Sequence, residues 1–289
     1  MHPATRLRPL AALLLILLAG LAWGAADARA VVGGTPTKIT EWPWMVQLEL
    51  PDKGGEKTTF CGGTLVAPRV VLTAAHCLLG VESRTRAVFG RQAFSGGALA
   101  YRRITGVSIP NQRRPGELVD ISLLWLEKDV PIEPVALGDP DTAPPAAGDP
   151  AVVLGWGITA SGSQPSSGLL MGAEVIRSIL GCRGAYANRL GVPYIDAALD
   201  ICARPVKPGG ACSGDSGGPL VIGNAATGWR QVGVVSWGDN RDHCRRRVPT
   251  IYMRVDRGET RQWLDDALTA GPSMSVRRLQ RLLRADLEG

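Results

Sequence analysis

The chain has only three histidines, at positions 2, 76 and 243, and beyond residue 30 it has no apolar run long enough to cross a bilayer. It shows no internal repeat and no low-complexity tract, which excludes a solenoid, a propeller or a disordered array as its organising principle. Helical periodicity is equally scarce. No helical pattern of any length precedes 259–268, and the next lies at 275–287. Charge of one sign is lacking too: beyond residue 30 there are 29 basic and 25 acidic side chains, a net +4. So mild an excess fits a soluble surface and gives no reason to expect a nucleic-acid partner.

What is present begins at the N-terminus. Arg6 and Arg8 precede an apolar run over residues 10–21, and alanine-rich sequence follows, ending Ala28-Arg29-Ala30. These are the three parts of a secretory signal peptide over residues 1–30, and they predict a secreted protein, extracellular or periplasmic. The run is short for a spanning helix and is interrupted by Gly20 and Gly24. All six cysteines lie beyond it, an even number suited to three disulfides in an oxidising compartment.

Short runs rich in Val, Ile and Leu recur at 70–73, 87–89, 104–109, 121–126, 151–154, 174–179, 231–236 and 251–255, separated by Gly- and Pro-containing turns. This spacing predicts an all-β fold of antiparallel sandwiches or barrels. Six prolines between 131 and 150 suggest a connection between two halves.

The chemistry is concentrated at Gly214-Asp215-Ser216-Gly217-Gly218-Pro219 and at Thr73-Ala74-Ala75-His76-Cys77. A serine hydroxyl is a poor nucleophile at neutral pH, so a hydrolase needs a base within hydrogen-bond reach and donors waiting for the oxyanion. Ser216 and His76 supply the first two components. Glycines around Ser216 let the backbone approach a substrate closely. Taken singly, a His before Cys, an Asp before an apolar strand and a Ser between glycines are ordinary structural residues; it is their joint occurrence that points to chemistry.

Over about Val31 to Leu268 the chain resembles the trypsin/chymotrypsin-like serine peptidases. Eight motifs occur in the family's order: VVGG at Val31, PWMVQL at Pro43, CGGTLV at Cys61, LTAAHC at Leu72, DISLL at Asp120, GWG at Gly155, GDSGGP at Gly214 and VVSWG at Val234. The resemblance implies two antiparallel six-stranded β-barrels with the active site in the cleft between them, plus a C-terminal helix. It implies a Ser216, His76, Asp120 triad, and an oxyanion hole from the N–H groups of Gly214 and Ser216. Protein or peptide substrates follow from it. It also implies that a freed Val31 α-amino group pairs with Asp215.

Here the chain departs from the common pattern, because Ala30 rather than Arg or Lys precedes Val31. Either signal peptidase itself exposes Val31, or it cuts after Ala28 and a second enzyme removes Arg29-Ala30.

The resemblance further implies disulfides Cys61–Cys77, Cys182–Cys202 and Cys212–Cys244, among the 15 pairings that six cysteines allow. The pocket for the residue before the scissile bond (P1) is expected from Gly210, Ala211, Ser236, Trp237, Gly238 and Thr250. Members that cleave after Lys or Arg carry Asp where this chain has Gly210, so a basic P1 residue is not expected. Thr250 narrows the pocket toward small or medium apolar side chains. Arg245, Arg246 and Arg247 offer an alternative preference for acidic residues.

No cofactor is expected. No metal is expected either, since the segment after Phe89-Gly90-Arg91 lacks the carboxylates a calcium loop needs. A monomer is expected. A non-catalytic cationic binding protein on the same fold is the competing reading. The tail at 269–289, with Val276, Leu279, Leu283 and Leu287 near helical spacing among four arginines, is either an extra packed helix or a contact for a membrane surface or partner.

Overall fold

A computed structural model of the chain describes residues 31–51, 57–94, 96–110, 119–158, 166–187, 194–239, 244 and 248–288. The signal sequence, His243 and Arg245 to Arg247 lie outside the described residues, as does the Leu287 side chain. The described residues form fifteen strands: β1 Thr35–Pro36, β2 Met45–Pro51, β3 Lys57–Ala67, β4 Val70–Thr73, β5 Arg86–Phe89, β6 Ala100–Ser108, β7 Ser122–Leu126, β8 Ala136–Leu137, β9 Pro150–Gly155, β10 Leu170–Arg177, β11 Asp200–Pro205, β12 Pro219–Asn224, β13 Gly228–Trp237, β14 Thr250–Arg254 and β15 Met274–Ser275.

They form two closed six-stranded antiparallel barrels. The first runs β6-β5-β2-β3-β4-β7 and closes by pairing β7 with β6. The second runs β10-β11-β14-β13-β12-β9 and closes by pairing β9 with β10. Closure removes the sheet edges that short Val- and Leu-rich strands would otherwise expose. Inside the first barrel Met45, Leu48, Leu65, Leu72, Phe89, Leu124 and Leu126 are fully buried.

The buried Glu49 of β2 is met by two cations. Glu49 and Arg91 meet at 2.6 Å, and Arg86 reaches Glu49 at 2.7 Å. These two guanidinium groups hold the Glu49 carboxyl below its usual range against the burial that would raise it.

The proline-rich connection is stitched to both halves. Val135 N–H donates to Leu65 C=O in the first barrel, and Gly138 N–H to Gln231 C=O in the second. Thr64 on β3 donates across the junction to Gln231 on β13 at 2.7 Å. These contacts fix how the barrels meet, and therefore the cleft.

Three disulfides, Cys61–Cys77, Cys182–Cys202 and Cys212–Cys244, use all six cysteines. Among the described residues the α-helices are α1 Ile179–Tyr186, α2 Gly258–Ala270 and α3 Val276–Glu288. Sequence periodicity locates the last two but reads 174–179 as one strand. In the molecule β10 ends at Arg177, and the Ser178 hydroxyl caps α1 by accepting from Gly181 N–H.

The tail packs on the first barrel. β15 pairs with β6, and Val276 and Leu279 are buried in the core while Arg277, Arg278, Arg281 and Arg284 face outward. Gly106 makes this possible, because a Cβ there would lie 2.6 Å from Pro272. No helix among the described residues is long and apolar enough to cross a membrane.

Candidate active site

His76 sits on a short 3₁₀ helix, Ala75–Gly80, that leaves β4, and Cys77 beside it is tied to Cys61 on β3. Asp120 lies directly before β7, which pairs with β4 through Thr73 and Ser122. Register alone thus brings the two segments together. Asp120 Oδ2 is 2.8 Å from His76 Nδ1, and its Oδ1 accepts the His76 backbone N–H at 2.9 Å. The carboxylate is 1% exposed, whereas the imidazole is 36% exposed. One ring nitrogen is therefore fixed by a buried acceptor, and Nε2 is left for the cleft.

A third donor was not foreseen. Ser236 Oγ donates to Asp120 Oδ2 at 2.5 Å from the second barrel. Ser236 was expected only as a pocket wall, and it is that too; its hydroxyl also completes the shell of Asp120.

The Ser216 loop is pressed onto the same region. Gly62 N–H donates to Ser216 C=O at 2.8 Å. A Cβ on Gly217 would lie 2.1 Å from Thr73 Oγ1 and 3.1 Å from Ala74 N, and Gly217 adopts φ +78°. Only glycine lets the serine loop pack this closely against the chain that leads to His76. Among the described residues the N–H groups of Gly214 and Ser216 donate to no other group, so both are available to an incoming oxygen.

Asp215 points the other way, into the second barrel. It is fully buried, accepting from Gly157 N–H at 2.8 Å and Cys212 N–H at 2.9 Å, and burial pushes its pKa up to about 6. Val31 is fully buried in the same barrel, with Val32 bridged to Gly210.

Beside Ser216 opens a cavity of about 220 Å³ lined by Ala211, Ser236, Trp237, Gly238, Thr250 and Asp239, among others. Gly238 and Thr250 face each other, since a Cβ on Gly238 would be 3.7 Å from Thr250 Oγ1. Trp237 is backed by Tyr186 of α1, ring centroids 5.1 Å apart.

Gly210 does not line this cavity. It lines a separate, smaller cavity of about 100 Å³ together with Glu174 and Val31. Sequence reasoning missed Glu174, which reads as one polar residue in a strand, and Asp239, which follows a motif without belonging to it. The expectation of a pocket with no nearby anion rested on Gly210 alone. Carboxyl groups stand close by on other segments.

Among the described residues, one group of His, Cys, Asp or Glu side chains is compact enough to hold a metal: Cys61, His76 and Cys77. Both thiols are spent in a disulfide.

The family model for Trypsin matches residues 31–264. The chain belongs to the trypsin family. This peptidase is 36% identical over 230 residues to a Trypsin of Saccharopolyspora erythraea, covering 78% of this chain and 93% of that one. It is 35% identical over 237 residues to a Trypsin-like protease of Streptomyces glaucescens, covering 80% of each chain. Trypsin zeta of Drosophila erecta is 32% identical over 260 residues, 85% of this chain and 87% of that protein. The family and its activity make the chain a serine-type endopeptidase acting on protein substrates.

Proposed function

We propose that Ser216 is the nucleophile, His76 its base and Asp120 the group that fixes the imidazole. The observation that carries this is the Asp120–His76 Nδ1 bond at 2.8 Å, made by a segment on which the Ser216 loop is packed. In this reading His76 Nε2 takes the Ser216 proton as the hydroxyl attacks the scissile carbonyl, then returns it to the leaving amine. The Gly214 and Ser216 N–H groups receive the oxyanion; losing one such donor lowers turnover about 10²–10³-fold. Labelling by a fluorophosphonate probe tests the assignment. It should vanish in Ser216→Ala, and persistent labelling would disprove it.

Substrate preference follows from the cavity beside Ser216, taken as the P1 pocket. Ala211 and Thr250 favour small or medium apolar side chains, and the open wall at Gly238 admits some breadth. The alternative preference for acidic residues rests on Arg245, Arg246 and Arg247, which lie outside the described residues. The backbone at Ser236 to Gly238 would receive the substrate as an added antiparallel strand.

Secretion with removal of residues 1–30, directly or in two cuts, would free the Val31 amine to pair with Asp215. Support comes from the full burial of both residues and from the burial that raises the pKa of Asp215, which a nearby cation would offset. N-terminal sequencing of secreted Ser216→Ala protein decides the route, because a stable species starting at Arg29 excludes direct release. We take the protein to act as a monomer without cofactor, with the tail serving as a brace on the first barrel.

A further inference from the structure

Glu174 on β10 carries a carboxyl that the scheme above leaves without a task. It is 1% exposed, and neither oxygen meets a hydrogen-bond donor at full hydrogen-bonding geometry. Among the described residues the polar group that interacts with it is the Tyr252 hydroxyl, itself buried and interacting in turn with Thr250. Thr250 lines the cavity beside Ser216. A chain of three side chains therefore runs from that cavity to the carboxyl.

The position of Gly210 gives the carboxyl its meaning. A Cβ at residue 210 would lie 3.6 Å from Glu174 Oε1 and 3.3 Å from Pro205 Cγ. The carboxyl thus stands against the place where a side chain on residue 210 would begin. β10 lies next to β11, whose Pro205 is directly opposite Glu174, so the charge is delivered from the neighbouring strand.

A carboxyl in such a place is costly as an anion with no cation to meet it. Burial pushes its pKa up to about 8, which favours the neutral acid at neutral pH. The described groups that interact with it supply no positive charge. An ammonium or guanidinium entering from the pocket would do so.

We propose that Glu174 is a specificity-determining residue that extends the P1 pocket to Lys and Arg, replacing from β10 the side chain that Gly210 lacks. This rests on the reading of the cavity beside Ser216 as the P1 pocket. Small apolar side chains occupy only its upper part and need nothing from Glu174, while a long cationic one reaches the floor and pairs there.

The test uses the mature enzyme and three otherwise identical fluorogenic peptides with Ala, Lys or Arg at P1, together with benzamidine as a competitive cationic probe. The expected result is cleavage of all three by the wild type and inhibition by benzamidine. In Glu174→Gln the ratio of kcat/KM for Lys to that for Ala should fall by about 10²-fold. The inhibition constant for benzamidine should rise in parallel, and Glu174→Asp should restore part of both. Fluorophosphonate labelling verifies that each variant is folded. Should Glu174→Gln fail to label, the wild type still decides: cleavage after Ala alone with no effect of benzamidine overturns the role of Glu174. An unchanged Lys-to-Ala ratio in a labelled Glu174→Gln enzyme also overturns it. If no peptide is cleaved and no probe is taken up, the reading of the site itself has failed.

Discussion

If the freed Val31 amine pairs with Asp215 as proposed, Asp215 should couple processing to stability, and the coupling can be measured. Its carboxylate accepts two N–H bonds, yet loss of hydration outweighs them and raises its pKa from 3.8 to about 6. That difference of about two pH units corresponds to ~3 kcal/mol between the two protonation states. The sign follows from linkage. An acid whose folded pKa lies above its unfolded value favours the fold at pH below 3.8, and that advantage disappears as pH rises through about 6.

A chain that retains Ala30 has no α-amino charge at Val31, so its stability should fall by ~3 kcal/mol between about pH 4 and pH 7. In a chain that begins at Val31 the ammonium compensates the carboxylate, and this fall should be absent. The assay is urea unfolding followed by tryptophan fluorescence, on both forms carrying Ser216→Ala to stop self-cleavage, each compared with its Asp215→Asn counterpart. Asp200, pushed up to about 7, and Glu174, pushed up to about 8, lose stability in the same direction as pH rises, and the paired comparison cancels them. The amide itself costs ~1–3 kcal/mol at every pH, because its one oxygen accepts only one of the two N–H bonds. Parallel pH profiles for the Ala30 form and its Asp215→Asn variant would refute the reasoning. So would an equal fall in the Val31 form.

Asp120→Asn should keep the fold but lower kcat by about 10⁴-fold, the size of the equivalent loss in the prototype of this family, as read by single-turnover cleavage. Ser236→Ala removes one of three donors to Asp120. It should cost about 1.5–3 kcal/mol of hydrogen bonding and lower kcat by roughly tenfold or more with KM little changed. Leu279→Ala opens the contact between α3 and the first barrel and should destabilise by ~2–5 kcal/mol in urea unfolding. Truncation after Gly271 should do so more severely, while liposome binding stays unchanged if the apolar face of α3 serves the barrel alone. Arg91→Ala leaves Glu49 with Arg86 as its remaining partner in the barrel interior and should cost about 3–5 kcal/mol.

The runs at 70–73, 87–89, 104–109, 121–126, 151–154, 231–236 and 251–255 all fall on strands, because buried barrel strands are short and apolar and their turns need Gly and Pro. The run at 174–179 overreached, since a Ser178 cap ends one element and starts another without breaking the apolar pattern. β2, β11 and β12 escaped periodicity because each mixes polar and apolar residues over a short length. The tail was legible as a helix, but whether its apolar face met lipid, a partner or the chain itself depended on Gly106 and on a strand pairing with β6.

The sequence by itself determined the class of chemistry, since local segments with rare compositions around His76, Asp120 and Ser216 occur together for few reasons other than acyl transfer. Strand spacing made the all-β nature of the fold legible as well. Tertiary structure alone decided which groups share a site across long separations. The Ser236 bond to Asp120 spans 116 residues and joins two motifs that do not name each other as partners, and the approach of Glu174 to Gly210 spans two strands without a periodic or motif signal. The physical reason lies in range. Propensity, turns and patterning act over a few residues, whereas pairing and burial of a charge are settled where distant strands close a barrel.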